Sequence, residues 1–405
     1  MKDHLLQRQF KRSKAQGASI GLLLVSPMLL LTILAFAYPI VTILLRAVDD
    51  REVARILPAT TKLLSAWNGE TDIPAQAFGA LVGDAAEAYS HQSLARAADR
   101  LNLDSPGFRS LLMQLGRRAA TLDRANARQA MIDVDKRWEE VSTWRTIRMA
   151  SGPVTSRYLL AAIDLRQQWD GTIVSAPKDQ RIYVDLLLRT VTMSAVVLAL
   201  CIVLGYPVAY WMAHQSSGVQ RMLFYCVILP FWTSLLVRTG AWLVLLQKEG
   251  VINGLLIALG WTDQPLQLVF NRGSVYVVMT NMLLPFMILP IYSVMRRISP
   301  ETVKAAAALG ASPFVAFATV FLPQSIPGVA AGSLIVFVLA LGFYITPQLI
   351  GGAGDQMISN MIAYYAVGSA NWGMAGALAS VVVLFVWILF PLYRKYLGFS
   401  QVTVR

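Results

Sequence analysis

Residues 299–323 read SPETVKAAAALGASPFVAFATVFLP and lie between two long apolar stretches. A connection between apolar spans is normally short and polar, whereas this one carries two helix-start signals around a single glycine. In the pairs Ser299–Pro300 and Ser312–Pro313, the serine can cap a helix and the proline suits its first position. Gly310 suits the left-handed residue that ends a helix. The stretch therefore predicts a helical hairpin at a membrane surface, closed by Pro323, where it would dock a partner.

The composition indicates a membrane protein. Of the 405 residues, 56% are hydrophobic and only 14% are charged, which is too apolar for a soluble protein of this length. The charges are unevenly placed, since residues 46–185 hold 19 Lys/Arg and 18 Asp/Glu while the rest of the chain holds 16 Lys/Arg and five acids. The net charge of +12 does not indicate nucleic-acid binding, because the excess lies beside apolar spans, where it sets their orientation.

Six stretches are long and apolar enough to cross a bilayer, which takes about 20 residues. They run over residues 18–45, 190–213, 222–246, 274–295, 325–350 and 374–393. Prolines inside them are tolerated where neighbouring helices or water satisfy the freed carbonyls, and their number is typical of transporters rather than of simple anchors. The sequence therefore predicts an all-α polytopic membrane protein.

The basic residues predict the orientation of these spans. They cluster in both termini and in the second-to-third and fourth-to-fifth connectors, at Lys2, Arg8, Lys11, Arg12, Lys14, Arg221, Arg296, Arg297, Lys304, Arg394, Lys395 and Arg405. With six spans, all four segments fall on one side, and the positive-inside rule makes that side the cytoplasm. We therefore expect both termini to be cytoplasmic. The first apolar stretch is too long for a cleaved signal peptide and lacks a small-residue cleavage site.

The segment between the first two spans is then extracytoplasmic, and its length exempts it from the charge rule. It shows helical spacing and no strand alternation, with apolar positions at Leu94, Ala97, Ala98, Leu101 and at Met131, Val134, Trp138, Val141. It contains no cysteine, so no disulfide staples it. We expect three parts: residues 1–45, a mostly helical insert at 46–185 and a core at 186–405. The insert is either a small domain on its own core or a cap that docks a receptor.

Residues 250–260, after the third span, are too short to cross the bilayer and predict a short interfacial or re-entrant helix. Trp261 directly after them suits the headgroup region. The three histidines of the chain lie far apart, and no metal-ligand spacing is present, so we expect no metal site.

Residues 296–323 resemble the cytoplasmic coupling loop of ATP-binding-cassette (ABC) importer permeases. The family pattern is Glu-Ala-Ala, three residues, Gly, nine residues, an aliphatic residue, any residue, then Leu-Pro. The positions that match it in register are Ala305, Ala306, Gly310, Val320, Leu322 and Pro323. Lys304 occupies the usual glutamate position, and Glu301 one turn earlier can substitute for that acid. The alternative is an ordinary amphipathic connector.

Further stretches resemble the spermidine/putrescine permease group. Residues 229–233 and 237–242 resemble its third span, residues 250–260 the segment that follows, and residues 326–333 with 341–352 its fifth span. The resemblance covers residues 18–45 and 186–398 and leaves out the insert. It implies the six-helix fold of type I ABC importer permeases, here with a helical extracytoplasmic insert between helices 1 and 2.

Within this resemblance, the candidates for the translocation pathway are Trp232, Thr233, Arg238, Phe343, Tyr344 and Thr346. The group often has an acid where Phe343 stands, and no predicted span contains one, although a buried acid is the simplest partner for a polyamine. Aromatic residues can hold a cation instead. Arg238 would favour a carboxylate on an amino acid or an opine-like conjugate. The alternative roles are a structural ion pair for Arg238 and packing for the aromatic side chains.

The sequence contains no Gly-x-x-x-x-Gly-Lys-Ser/Thr phosphate loop, so we expect no catalytic residue and no cofactor bound by this chain. The resemblance implies separate ATPase subunits that use ATP with Mg, a second identical or related permease subunit and an extracytoplasmic solute-binding protein, at a bacterial inner membrane. We expect the permease of an importer for a polyamine, opine-like or amino-acid-like solute. The alternatives are an ATP-independent secondary transporter, which needs an ion-coupling site, and a membrane sensor with 46–185 as its ligand domain.

Overall fold

The computed structural model describes residues 25–70, 72–123 and 126–396. The N-terminal tail and Arg405, whose positive charges predict the orientation of the spans, lie outside the described residues. The chain forms two compact units. The first comprises residues up to Tyr158 together with Gln167–Thr172, and the second comprises Leu159–Arg166 and the chain from Ile173 onward. The boundary between the units thus precedes residue 185, where the sequence places the end of the insert.

The first unit contains the first candidate span and most of the insert. Its helices are α1 (Val25–Leu45), α2 (Arg51–Ile56), α3 (Pro58–Ser65), α4 (Ala75–Ser90), α5 (Leu94–Asn102), α6 (Phe108–Arg118), α7 (Ala127–Val134) and α8 (Val141–Met149). Helix α9 (Arg157–Ala161) and strand β1 (Leu165–Gln167) follow where the chain passes from one unit to the other.

The insert is folded around its own apolar core. Phe78 on α4 packs against Trp144 on α8 with ring centroids 4.6 Å apart, and the Trp144 Nε1 donates to the Trp138 carbonyl over 2.9 Å. The predicted apolar face of α5 is confirmed, because Leu94, Ala97, Ala98 and Leu101 are all buried. A stretch of about 100 residues is long enough to bury a core without disulfides.

The prediction of a second amphipathic helix in the insert is wrong. The spacing of residues 131–141 predicts one amphipathic helix, but α7 ends at Val134 and a 3₁₀ turn over Lys136–Glu139 separates it from α8. Asp135 causes the break, because its backbone is extended and its carboxylate accepts from the Arg137 amide. The insert is mostly helical, as predicted, and near its end β1 pairs with β2 (Ile173–Ser175) in a short two-stranded sheet.

The two ends of residues 50–153, which make up most of the insert, lie side by side. Asp49 and Val154 form an antiparallel bridge. On either side of it, the Thr155 amide donates to the Val48 carbonyl over 2.9 Å and the Asp50 amide donates to the Pro153 carbonyl over 3.3 Å. The chain that lies between these two points returns to where it started.

A buried ionic network lies next to this bridge. The Arg100 guanidinium donates to both Asp50 carboxylate oxygens, over 2.6 and 2.5 Å, and lies 3.1 Å from the Asp104 carboxylate. Asp104 also pairs with Arg157. Burial raises the pKa of Asp50 and of Asp104, and it lowers the pKa of Arg157. The network therefore ties α5, the start of the insert and its end into one charged cluster.

The second unit holds the remaining apolar helices. Its elements after β2 are α10 (Tyr183–Ala213), α11 (Ser217–Ile228), α12 (Leu235–Leu246), α13 (Val251–Ala258), α14 (Arg272–Met295), α15 (Pro300–Ala308), α16 (Pro313–Ala316), α17 (Leu322–Leu341), α18 (Ile345–Ile350), α19 (Ile358–Ala363) and α20 (Trp372–Tyr396). Within the described residues, six helices are long and apolar enough to cross a membrane. The predicted all-α fold with six spans is confirmed.

The third and fifth spans differ from their predicted bounds. The third is interrupted after α11 by a 3₁₀ turn over Leu229–Trp232 that contains a proline, and the stretch that qualifies as a span runs over Leu235–Ala258. The fifth runs over Pro313–Leu341, so Pro323 lies inside a continuous helix and does not close the preceding segment. A π-helical turn over Phe317–Phe321 directly precedes this proline, where its missing N–H disturbs the α-helical ladder.

Helices α10, α14 and α17 form the packed centre of the second unit. On α17, Gly328 and Gly332 are spaced as in the small-xxx-small packing pattern of membrane helices. A Cβ at Gly328 would lie 3.0 Å from the Ile291 Cα and the Pro290 carbonyl oxygen. A Cβ at Gly332 would lie 2.8 Å from the Met287 Sδ. The two glycines therefore let the backbones of α14 and α17 approach closely.

Replacing Gly328 with alanine is expected to destabilise the second unit by roughly 1–3 kcal/mol, since the added methyl group meets backbone atoms that cannot rotate away. The thermal unfolding midpoint of the purified chain measures this effect. Gly254→Ala on α13 is the matched control, because nothing lies within 4 Å of its Cβ position. Equal midpoints for the two variants would contradict the close approach of α14 and α17.

Candidate functional site

The coupling segment, residues 296–323, has the predicted helix ends. The Ser299 hydroxyl accepts from the Glu301 amide over 3.3 Å at the start of α15. The Ser312 hydroxyl accepts from the Val315 amide over 3.4 Å at the start of α16. Gly310 between the two helices has a φ of +90°, a value that side-chain-bearing residues rarely adopt. The segment is therefore a helical hairpin whose turn depends on one glycine.

The turn of this hairpin presents apolar side chains to the surroundings. Leu309 is 90% exposed and Phe314 is 78% exposed, and α15 buries no residue. Large apolar side chains that are exposed together mark interaction sites, and these two flank the same turn of the hairpin. The tip of the coupling segment thus has the character of a docking surface.

The family-pattern residues occupy different environments. Glu301, Lys304 and Ala305 are exposed on α15, whereas Ala306 is half-buried. Val320 is half-buried in the π-helical turn, and Leu322 and Pro323 are exposed at the start of α17. Glu301 and Lys304 form no ion pair with any described residue. Both charges therefore remain available to a partner.

The base of the coupling segment is fixed to α10 by aromatic packing. The Tyr210 ring packs against Phe317 and Phe321 with centroids 5.7 and 5.2 Å apart, and the Tyr206 hydroxyl lies 2.9 Å from that of Ser325. Aromatic pairs with this edge-to-face geometry add about 0.5–1.5 kcal/mol each beyond their buried area. A force on the hairpin would therefore be passed to α10 and α17 together.

The first two pathway candidates lie at the interruption of the third span. Trp232 ends the 3₁₀ turn and is 86% exposed. The Thr233 hydroxyl donates to the Pro230 carbonyl over 2.8 Å, and the Ser234 hydroxyl caps α12 by accepting from the Val237 amide. The chain thus starts a new helix here, after the 12 residues of α11, which span roughly 18 Å along a helix axis.

Arg238 lies in the first turn of α12. Its Nε is buried and has no hydrogen-bond partner among the described residues. The next residue, Thr239, is buried, and its hydroxyl lies 3.4 Å from that of Thr346 on α18. A buried donor without a partner costs about 1–3 kcal/mol or more when it is charged, so the position is suited to an acceptor that the chain itself does not supply.

The other candidates surround the break between α17 and α18. The Phe343 carbonyl accepts from the Ser359 hydroxyl, and the Tyr344 carbonyl accepts from the side-chain amide of Asn360 over 2.9 Å. Tyr344 is 41% exposed, whereas Thr346 is fully buried. The six candidates therefore differ in burial: Trp232 and Tyr344 are exposed, whereas the hydroxyl of Thr346 lies buried against that of Thr239 between α12 and α18.

Sequence reasoning missed two parts of this region. The aromatic base at Tyr210, Phe317 and Phe321 carries no motif, because its residues come from two distant helices. The hydrogen bonds from Ser359 and Asn360 to the α17–α18 break also have no local signal. The proline before Trp232, in contrast, is a signal for the interruption of the third span.

Comparison with known proteins identifies the second unit. The family described as binding-protein-dependent transport system inner membrane component matches residues 205–397. The spermidine/putrescine transport system permease protein PotB of Escherichia coli is 31% identical over 214 residues, which cover 53% of this chain and 78% of that protein. The E. coli inner membrane ABC transporter permease protein YdcU is 38% identical over 228 residues, which cover 53% of this chain and 72% of that protein.

Among solved structures, a bacterial ABC transporter involved in the import of the acidic polysaccharide alginate covers 53% of this chain and 79% of the matched chain, at 19% identity and a TM-score of 0.44. The sequence relatives confirm the predicted resemblance. The chain therefore belongs to the family of binding-protein-dependent inner-membrane transport components, and it is a permease subunit of an ABC importer in the group of the spermidine/putrescine permeases.

Proposed function

We propose that this permease is driven by separate ATPase subunits that use ATP with Mg and dock on the coupling segment. The observation that carries the proposal is the exposed hairpin tip with Leu309 and Phe314. Its aromatic base on α10 supports a rigid lever, because movement of the hairpin would be transmitted to two spans at once. Family membership does not support the alternatives of a secondary transporter or a sensor.

The remaining partners and the orientation follow from the same proposal. A second permease subunit, identical or related, completes the translocation pathway, and a solute-binding protein delivers the substrate from outside. The basic coupling segment and both termini face the cytoplasm, which agrees with the positive-inside rule. The insert then faces outward, where a receptor-docking role and a purely structural role are both compatible with its self-contained core.

The substrate we propose is a polyamine-like cation. Support comes from the relatives named for spermidine and putrescine transport, and from the exposed aromatic side chains of Trp232 and Tyr344, which can hold a cation by its attraction to ring faces. A second candidate is an amine that also bears a carboxylate, such as an opine-like conjugate or an amino acid. The unpaired, buried Nε of Arg238 favours that second candidate.

ATPase activity of the purified complex, measured with and without the binding protein and a panel of substrates, tests both the proposed ATPase drive and the proposed substrate class. We expect several-fold stimulation by one substrate class. If the substrate carries a carboxylate, Arg238→Met is expected to raise the substrate concentration for half-stimulation at least tenfold, since a charge-assisted hydrogen bond is lost. If the substrate is a plain polyamine, the same variant is expected to have little effect.

Arg166→Gln is the control, because Arg166 is exposed on β1 and lies outside the spans. A chain that never associates with an ATPase under these conditions would contradict the proposed drive. Stimulation by neither substrate class, in a complex that does hydrolyse ATP, would contradict the substrate proposal alone.

A further inference from the structure

A cleft of about 580 Å³ lies at the end of α14, next to the start of the coupling segment. It is lined by Phe224 on α11, by Leu289, Tyr292 and Ser293 on α14, and by Arg296 and Arg297 directly after it. The hydroxyl of Tyr292 donates to the Gln220 side chain over 3.3 Å, which fixes α11 against the end of α14. The volume falls in the range of small-molecule sites, about 300–1,000 Å³.

The polar side of the cleft is cationic and lacks a counter-charge. Neither Arg296 nor Arg297 forms an ion pair with any described residue. Arg221 lies one turn before Phe224 on the same face of α11, outside the lining of the cleft. The free hydroxyl group of Ser293 adds a neutral donor. The two arginines of the lining favour an anionic occupant and disfavour the cationic substrate that we propose for the pathway.

The other side of the cleft is apolar and is formed by Phe224 of α11 and Leu289 of α14. Helix α11 buries no residue: Phe224 is 37% exposed, and Met222 and Tyr225, on the neighbouring face of the helix, are 62% and 67% exposed. Helix α14 has 24 residues and is therefore about 36 Å long, slightly more than the hydrocarbon thickness of a bilayer. Arg296 and Arg297 thus lie at headgroup level, with an exposed apolar surface beside them at acyl-chain level.

We propose that this cleft binds an anionic phospholipid, with the phosphate held by Arg296 and Arg297 and an acyl chain lying along α11. Such a lipid would place its anionic headgroup beside the two arginines and its acyl chain at the depth of the apolar surface. Basic pockets between membrane helices are known to bind anionic headgroups. Free phosphate would satisfy only the arginines. The leaflet in which the lipid sits follows from the proposed orientation, but binding itself does not depend on the proposed function.

Native mass spectrometry of the purified full chain tests the proposal, with short-chain phosphatidylglycerol and phosphatidylcholine as probes. We expect Arg296→Gln/Arg297→Gln to weaken phosphatidylglycerol binding about 30-fold, since each basic residue beside an anionic headgroup contributes roughly a factor of five. Binding of phosphatidylcholine should stay unchanged. The variant Arg296→Lys/Arg297→Lys, which keeps the charge, should remain within a few-fold of the native chain.

The matched control is Lys248→Gln/Arg166→Gln, which removes two exposed positive charges outside the cleft and should bind phosphatidylglycerol normally. Equal weakening in this control would mean a net-charge effect and would overturn the site. Inorganic phosphate that displaces phosphatidylglycerol at equal concentration would overturn the lipid in favour of a small anion. Unchanged lipid binding in Arg296→Gln/Arg297→Gln, with loss of the co-purified ATPase, would assign the arginines to the ATPase interface instead.

Discussion

Replacing Gly310 with valine is expected to separate ATP hydrolysis from transport in the assembled importer. The φ of +90° at Gly310 lies in the left-handed region, which costs an ordinary L-residue roughly 1–2 kcal/mol and a β-branched residue more. The chain would avoid this cost by rearranging the turn, which changes the direction in which Leu309 and Phe314 point. Substrate uptake per ATP hydrolysed is expected to fall at least tenfold.

Uptake into proteoliposomes and ATP hydrolysis are measured on the same preparation. Nothing lies within 4 Å of the Cβ position at Gly310, so a loss arises from backbone strain and not from a clash. Gly310→Asn is therefore the informative control, because asparagine visits the left-handed region more readily than other residues and should retain most of the coupling. Native coupling in Gly310→Val would show that the hairpin is not a lever.

Asp104→Asn is expected to destabilise the insert by roughly 3–5 kcal/mol, the usual cost of breaking a buried ion pair from one side. Its carboxylate lies between Arg100 and Arg157, and the side chains of Arg100 and Asp104 are each only 3% exposed. The neutral amide would leave two buried guanidinium groups to share Asp50. Hydrogen exchange of residues 75–149 in the full chain should then quicken roughly 10²–10⁴-fold.

Asp99→Asn provides the matched control for this measurement. Asp99 pairs with Arg109 over 3.1 Å, but both side chains are more than half exposed, and an exposed pair is worth about 0–1 kcal/mol. If hydrogen exchange changes equally in the two variants, burial of the ionic network does not determine its contribution to the stability of the insert. A combined Asp104→Leu/Arg157→Met variant should recover part of the loss, because removing both charges leaves no unpaired partner between them.

The parts of the fold that depend on local chemistry were predictable from the sequence. Caps at Ser299 and Ser312, the left-handed Gly310 and the six apolar stretches each follow from residues that are adjacent in the chain. The apolar face of α5 follows from spacing alone. These features are set by backbone sterics and by helical periodicity, which a single sequence displays.

The parts that depend on distant residues were not predictable. The carboxylate of Asp50 meets Arg100 across 50 residues, and Asp135 ends α7 because its side chain captures a nearby amide. In the candidate site, the sequence indicates which residues are unusual in a membrane, such as Arg238. It does not indicate that Thr346 is buried against Thr239, because that pairing exists only once α12 and α18 are packed together.

The bridge between Asp49 and Val154 also bears on how such a chain can arise. Because the two flanking strands of chain are already side by side, a two-residue turn can join them and replace everything from 50 to 153. Gaining or losing residues 50–153 therefore requires no change in the length or order of the apolar helices. Residues 50–153 are in this sense a separable module of the chain.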